Sequence, residues 1–167
     1  MIHLSRRICN SISAGWLLAI VATSAVASPI DPPDARAILS TTASGVQIYS
    51  CEYDANHALG WVFSSPRATL FDPAGTAVIE HSAGPSWEAR DGSRIVGHVL
   101  AQMPSEAPNG VPQLLLETRS TGAKGLLSEV RYVQRTKTAG GAAPTAPCTV
   151  EHVAGSSPYI ATYIFFK

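Results

Sequence analysis

Hydrophobic and polar residues alternate over short stretches along most of this chain. In "GVQIYSC", Val46 and Ile48 alternate with Gln47 and Tyr49, and similar stretches are "LGWVF", "SRIVGHVLAQM", "VPQLLLETRS", "LLSEVRYVQRTK" and "YIATYIFF". A period of two is typical of strands, and no stretch has the period of an amphipathic helix. The pattern predicts eight or nine short strands in a single all-β domain, either an antiparallel sandwich or a closed barrel.

Glycine, proline and aspartate separate these stretches. "DPAG" at residues 72–75 predicts a hairpin, and "GP" at 84–85 predicts a bend. Asp91-Gly92 predicts a two-residue type I′ turn. That turn would pair Trp87 with Val96 and Glu88 with Ile95, which mixes polar and apolar residues on both faces. Either the loop is longer than two residues, or one face lies in a polar cleft.

The first 27 residues have the composition of a signal peptide. "MIHLSRR" is basic, "GWLLAIVA" is apolar, and "TSAVAS" supplies small residues for cleavage between Ala27 and Ser28. An uncleaved membrane anchor is the alternative. We expect residues 28–44 to be a proline-rich lead-in and residues 45–167 to be the all-β domain. No later stretch is long and apolar enough to span a membrane, so the mature protein is predicted to be secreted or periplasmic.

The charge of the mature chain bears on its binding partners, and its cysteine content predicts a disulfide. Without Arg6 and Arg7, ten basic and twelve acidic side chains remain, and they include no Lys/Arg cluster that would bind nucleic acid. Cys51 and Cys148 are the two cysteines left after cleavage, and an oxidising compartment favours a disulfide between them. Free thiols or metal ligands are the alternative, although no C-x-x-C spacing supports them.

The stretch "HSAGPSWEARDGS" at residues 81–93 concentrates side chains that can bind a ligand. Aromatic rings stack on sugar CH groups, and nearby charged or amide groups bind hydroxyls. We therefore predict a ligand site; its candidate residues are His81, Trp87, Glu88, Asp91, Arg94, Trp61 and Gln47. The alternative for Trp61 and Trp87 is burial in the core.

Catalysis is a second possibility for the same stretch. His81, Glu88 and Asp91 could serve a hydrolase or a metal-dependent enzyme, and Ser86 could be a nucleophile, but "GPSWE" departs from the G-x-S-x-G pattern. The histidines after residue 27 lack H-x-H or H-x-x-x-H spacing, so we expect no metal site and no cofactor; they are His57, His81, His98 and His152.

Several stretches resemble one family of exported bacterial and fungal proteins. They are "GVQIYSC", "HSAGPSWEARDGSRIVG", "PQLLLETRSTGAKG", "VRYVQRTKTAGGAAPTAPC" and "YIATYIFF". Their order is similar to that in the family of domain of unknown function 3455 (DUF3455), from Gly45 to the C-terminus. Gln113 stands where that family usually has tryptophan. Some fungal relatives carry a malate dehydrogenase label, but this chain has no G-x-G-x-x-G turn to hold a nicotinamide cofactor, so the label does not transfer.

These observations favour an exported β-domain that binds a small molecule, a carbohydrate or another cell-envelope polymer. An extracytoplasmic hydrolase or metal-dependent enzyme is one alternative, and a structural or protein-interaction domain is another. The sequence leaves open whether the protein is an enzyme and which oligomeric state it adopts.

Overall fold

The computed structural model describes residues 28–167, so the predicted signal peptide lies outside the described residues. Eight antiparallel strands each pair with the next along the chain, and the last pairs with the first. The all-β prediction is confirmed, and of the two predicted architectures the chain adopts the closed barrel. The strands are β1 Ala37–Tyr53, β2 Leu59–Phe71, β3 Ala77–Ser82, β4 Ser86–Ala89, β5 Arg94–Met103, β6 Gln113–Ser120, β7 Tyr132–Gly140 and β8 Ala154–Phe166.

Pairing between β1 and β8 closes the barrel. It extends from Ala37 opposite Phe166 to Ser50 opposite Ala154. The first strand therefore begins before Gly45, and residues 37–44 belong to the barrel wall. Gly45 lies where β1 and β2 approach closely. A side chain at this position would collide with the backbone of Arg67 and Ala68, so the close approach requires glycine. Within the described residues, no helix is long and apolar enough to cross a membrane.

The barrel interior is packed with apolar side chains at the end that contains the β6–β7 connection. Trp87, Ile95 and Phe165 are almost fully buried there. Leu127 and Val130 join the same core cluster from the connection at residues 121–131, and they close this end. The sequence predicted that "LLSEVRYVQRTK" is one strand, but only the part from Tyr132 onward is.

A second, smaller apolar cluster lies outside the barrel wall. Ile30 packs against Leu115 and Tyr132, and Gln134 Nε2 donates to the Ile30 carbonyl oxygen at 2.7 Å. The N-terminal segment at residues 28–36 thus covers the outer face of β6 and β7. The uninterrupted apolar run "LLL" at 114–116 is therefore covered on both faces, which is where such runs occur in sheets.

The β4–β5 hairpin has a three-residue loop, so the predicted two-residue type I′ turn is wrong. Gly92 N donates to the Ala89 carbonyl oxygen at 3.0 Å, and Ala89 N donates to Ser93 O at 2.9 Å. Gly92 has φ 81°, which suits glycine in the last loop position. The extra residue shifts the register and pairs Trp87 with Ile95. Both side chains point inward, so one face of the hairpin is apolar and buried. A two-residue turn would have placed polar and apolar residues on both faces.

The predicted disulfide is present and ties the last long connection to the first strand. Cys51 near the end of β1 is bonded to Cys148 in the β7–β8 connection. Trp61 Nε1 donates to the Ala146 carbonyl oxygen at 2.8 Å in the same connection. The indole ring lies against Gly155, where a larger residue would collide with it. Together the two contacts hold the β7–β8 connection against β1 and β2.

We expect removal of this disulfide to destabilise the protein by about 4 kcal/mol, because it restricts the unfolded chain over a sequence separation of 97 residues. The double variant Cys51→Ala/Cys148→Ala should therefore unfold at a lower urea concentration than the oxidised wild type. Reduced wild type should match the variant. Equal stability of the oxidised and reduced proteins would contradict the prediction.

Candidate functional site

A cavity of about 400 Å³ occupies the end of the barrel opposite Leu127. Most of its wall is apolar, and the residues of this part include Phe63, Val99, Val111, Leu114 and Leu116. They come from β2, β5, β6 and the β5–β6 connection. The cavity arises because the inward-facing side chains at this end do not fill the interior as Trp87 and Phe165 fill the other end.

The cavity opens through a notch in the barrel wall between β2 and β5. The β3–β4 hairpin is short, and β2 pairs with β3 only from Ala68 to Phe71. On the other side, β5 pairs with β4 only from Arg94 to Val96. Residues 59–67 of β2 and 98–103 of β5 therefore have no strand between them. We call this gap the notch; the hairpin turn at residues 83–85 forms its base.

Arg135 on β7 is the charged residue of the cavity wall. It follows Val133 by two positions on β7, so both side chains point inward, and it lies opposite Leu114 on β6. The residue is only 9% exposed. Its Nε and Nη2 donate to one acceptor, the carbonyl oxygen of Pro112, at 3.1 and 2.8 Å. No carboxylate among residues 28–167 lies within 4 Å of its guanidinium.

His81 and Trp87 form a stacked pair on the cavity wall. Their ring centroids are 4.7 Å apart and their planes differ by 7°. His81 Nδ1 lies 2.8 Å from the Ser86 carbonyl oxygen, which makes it the protonated nitrogen of the neutral ring. Burial lowers the pKa of His81 to about 4. The indole has room because Gly97 on β5 carries no side chain, and a Cβ there would lie 3.1 Å from Trp87 Cζ3.

Two buried polar groups of residues at the cavity have no partner in normal hydrogen-bond geometry. Gln47 is 2% exposed and Trp87 is 1% exposed, and neither Gln47 Nε2 nor Trp87 Nε1 makes a hydrogen bond within the described residues. Buried polar groups usually have a partner, since leaving one unpaired costs about 1–3 kcal/mol. By contrast, the hydroxyl of Tyr49 donates to the Gly141 carbonyl oxygen at 2.6 Å.

Burial is the largest influence on the pKa values of the tyrosines and the histidine around Arg135. It raises the pKa of Tyr49 and of Tyr159, and it lowers the pKa of His81. The positive charge of Arg135 adds a smaller lowering effect in all three cases. One cation therefore acts on side chains from β1, β3 and β8.

The structure brings together some of the residues predicted to bind a ligand. Gln47, His81 and Trp87 line the cavity. Glu88 and Arg94 are exposed and lie opposite each other on the outer surface of the barrel, where Glu88 also faces Glu80. Their side chains alternate with Trp87 and Ile95, so they point away from the interior.

The other two predicted residues have structural contacts. Trp61 lies outside the cavity and packs against the β7–β8 connection. Asp91 accepts hydrogen bonds from Ser93 N at 2.9 Å and Ser93 Oγ at 2.6 Å, and its other oxygen accepts from Leu126 N at 2.6 Å. Ser93 Oγ also accepts from Leu127 N at 3.1 Å. Asp91 thus joins the β4–β5 hairpin to the connection that closes the far end of the barrel.

The candidate catalytic residues do not form one site. His81 faces the interior, Glu88 faces outward, and Asp91 is in the hairpin loop at the opposite end from the cavity mouth. Ser86 directs its hydroxyl to the Ala83 carbonyl oxygen at 2.9 Å, away from the ring of His81.

A separate exposed group could hold a metal by its geometry. Glu52, Glu151 and His152 offer ligand atoms within 4.8 Å of one another, outside the barrel near the disulfide. His98 is also exposed, and its Nε2 lies 3.3 Å from a carboxylate oxygen of Glu117.

Among the cavity residues that the sequence did not single out are Tyr49, Phe63, Arg135 and Tyr163. Tyr49 has the same orientation as Gln47, since both are at alternate positions of "GVQIYSC". Arg135 has the same orientation as Val133. For Tyr49 and Arg135, the alternation of the strand shows which neighbours share their orientation. It identifies them as cavity residues only when the internal face of the strand is also known.

A comparison with protein families gives one match. The family model described as "Protein of unknown function (DUF3455)" matches residues 32–167, which is most of the chain, and the chain belongs to this family. The predicted resemblance is confirmed. No match was found among curated proteins or among solved structures. The family description states no activity, so a functional assignment depends on the cavity.

The buried, neutral His81 predicts a pH dependence of stability. Its pKa is about 4 in the folded protein against an ordinary value of 6.5, so between these values only the unfolded chain takes up the proton. The contribution of neutral His81 to the free energy of unfolding should therefore be at its maximum above pH 6.5. As the pH falls to 4.5, the free energy of unfolding should decrease by about 2–3 kcal/mol. Urea unfolding at both pH values measures this. His81→Gln should remove most of that loss, and the exposed control His98→Gln should retain it. An unchanged pH dependence in His81→Gln would overturn the prediction.

Asp91 should be required for stability rather than for ligand binding. Asp91→Ala removes the acceptor for Ser93 and Leu126, so we expect a clear fall in the thermal midpoint. Glu88→Ala, on the outer surface of the same hairpin, should change the midpoint little. Differential scanning calorimetry of the two variants makes the comparison. A normal midpoint for Asp91→Ala would show that its hydrogen bonds are not needed to close the barrel end.

Proposed function

We propose that this member of the DUF3455 family binds a small molecule with an apolar body inside its barrel. The observation that carries the proposal is the cavity of about 400 Å³, enclosed by apolar side chains and open to solvent at the notch. Eight-stranded barrels have an interior that side chains can fill or that can hold one small ligand. A volume of this size is in the lower part of the range of small-molecule sites.

The notch is the proposed route by which a ligand reaches the cavity. Phe63 on β2 is 52% exposed and Val99 on β5 is 49% exposed, and both line the cavity from opposite sides of the notch. Their neighbours Val62 and Leu100 are also about half exposed. Large apolar side chains grouped around an opening are typical of sites that receive an apolar molecule. A bound molecule would cover the inner surfaces of Phe63 and Val99.

The chemistry of the wall favours an apolar body over a sugar. A sugar needs hydrogen-bond partners around its whole ring, whereas this wall is formed largely by Val99, Val111, Leu114 and Leu116. Trp61 was the other aromatic residue expected to stack on a sugar, and it packs against the β7–β8 connection. The polar groups that remain are concentrated around Arg135 and Gln47, which suits a ligand with a single polar end.

We also propose that the protein works outside the cytoplasm. The bond between Cys51 and Cys148 suits an oxidising compartment. The signal-peptide composition of residues 1–27 agrees with export.

A neutral fluorophore tests the cavity directly. N-phenyl-1-naphthylamine becomes fluorescent in apolar surroundings, and we expect residues 28–167 to bind it with one saturable site. Val99→Phe should weaken binding by about tenfold or more, equivalent to about 1.4 kcal/mol, because the larger ring occupies the cavity mouth. The matched control is Leu100→Phe, since Leu100 is the exposed neighbour that does not line the cavity.

Absence of saturable fluorophore binding would overturn the proposal. An equal effect of Val99→Phe and Leu100→Phe would also count against it, because the probe would then be bound to the outer surface around the notch. Circular dichroism and thermal midpoints of both variants establish that each remains folded.

A further inference from the structure

Arg135 places a positive charge in surroundings that offer it no negative partner. The residue is 9% exposed, and within residues 28–167 its guanidinium donates only to the carbonyl oxygen of Pro112. A guanidinium has five N–H donors, so the contact with Pro112 leaves several of them free to bind another acceptor. Burial of a charge is costly unless it is paired, and paired charges are the rule in protein interiors.

Two further donors belong to residues that line the same cavity, and neither makes a hydrogen bond of normal geometry among the described residues. They are the Nε2 amide of Gln47 and the indole Nε1 of Trp87, and both are almost fully buried. Arg135, Gln47 and Trp87 all line the cavity, and all three have unused N–H groups. His81 does not add a second charge, because it is held neutral by burial and already directs Nδ1 to the Ser86 carbonyl oxygen. Arg135 thus supplies the one positive charge of the cavity wall, and it has N–H groups that are free to bind an acceptor.

We propose that the ligand is an organic monocarboxylate, whose carboxylate pairs with Arg135 and whose apolar body extends towards Phe63 and Val99. This inference rests on the proposed function of the cavity and specifies the ligand class. A carboxylate matches the planar guanidinium and can accept two hydrogen bonds from it. A single arginine matches one negative charge, and the part of the chain that the structure describes adds no other Lys or Arg to the cavity wall that would favour a dianion such as a phosphate monoester.

The competing explanation is that Arg135 only braces the β5–β6 connection through Pro112. The two roles differ in what they predict for ligand selectivity. A purely apolar cavity prefers an alcohol to the carboxylate of the same chain, because the ion must give up more hydration on binding. A cavity with an available guanidinium reverses this preference. Selectivity between an acid and its alcohol is therefore a readout that a bracing role does not change.

The test measures displacement of N-phenyl-1-naphthylamine by sodium decanoate and by 1-decanol at pH 7.5, below the critical micelle concentration of the acid. For wild type we expect decanoate to displace the fluorophore at a concentration at least about tenfold lower than decanol. Arg135→Met should abolish this preference or reverse it while decanol still binds. Arg119→Met is the matched control, since Arg119 is exposed on the outer surface of β6, and its selectivity should equal that of wild type.

The outcomes separate this inference from the proposal on which it rests. If the fluorophore and decanol bind but wild type has no preference for decanoate, the cavity binds apolar molecules and the carboxylate inference is wrong. If neither the fluorophore nor either competitor binds, both proposals fail. The wild-type comparison is decisive even if Arg135→Met does not fold, and Arg135→Lys, which retains the charge, should then keep part of the preference.

Discussion

Closure of the barrel by pairing of β1 with β8 determines the environment of every strand residue. Closure surrounds the inward side chains with strands, except beside the notch, and the interior is filled by side chains or can hold a ligand. At the far end, Trp87, Phe165 and Leu127 fill it. Towards the notch, the β3–β4 hairpin is too short to fill the wall between β2 and β5, and the inward side chains there do not fill the barrel interior. The cavity therefore follows from strand lengths and from side-chain volume together.

Closure of the barrel also separates polar groups that are fully hydrogen-bonded from polar groups that lack a partner. Asp91 and Ser93 are polar, but their hydrogen bonds to the 121–131 connection are complete, and they stabilise the closed end. Gln47 and Trp87 each keep an unpaired N–H group, and both residues line the cavity, as Arg135 does. Electrostatic interactions are stronger in a low-dielectric interior than in water, and this applies both to the cost of an unpaired charge and to its attraction for an opposite one. The residues that carry the unpaired donors thus belong to the wall of the cavity.

Alternation and turn residues were sufficient to predict the all-β class and the hairpin at residues 72–75, and the cysteine count after signal cleavage was sufficient to predict the disulfide. They could not distinguish a barrel from a sandwich, because both have the same alternation along each strand and differ in whether the first strand pairs with the last. The start of β1 was missed because residues 37–44 are mostly small, so their alternation is weak. The turn at Asp91-Gly92 was assigned one residue too short, since "DG" also suits a three-residue loop with glycine at positive φ. The mixed polarity of the resulting pairs left a longer loop and a polar cleft as alternatives, and the loop is the longer one.

Predictions of site residues depended on whether chemistry or orientation was considered first. Glu88 and Arg94 were selected for their charge, although both alternate with residues that had to be internal, such as Trp87 and Ile95. Arg135 was passed over because arginine is usually exposed, although it alternates in phase with Val133. In a closed barrel, a charged side chain at an inward position is the exception that requires an explanation, whereas one at an outward position requires none. Taking orientation first therefore excludes Glu88 and Arg94 and selects Arg135, together with Gln47 and His81, from residue types that composition alone cannot separate.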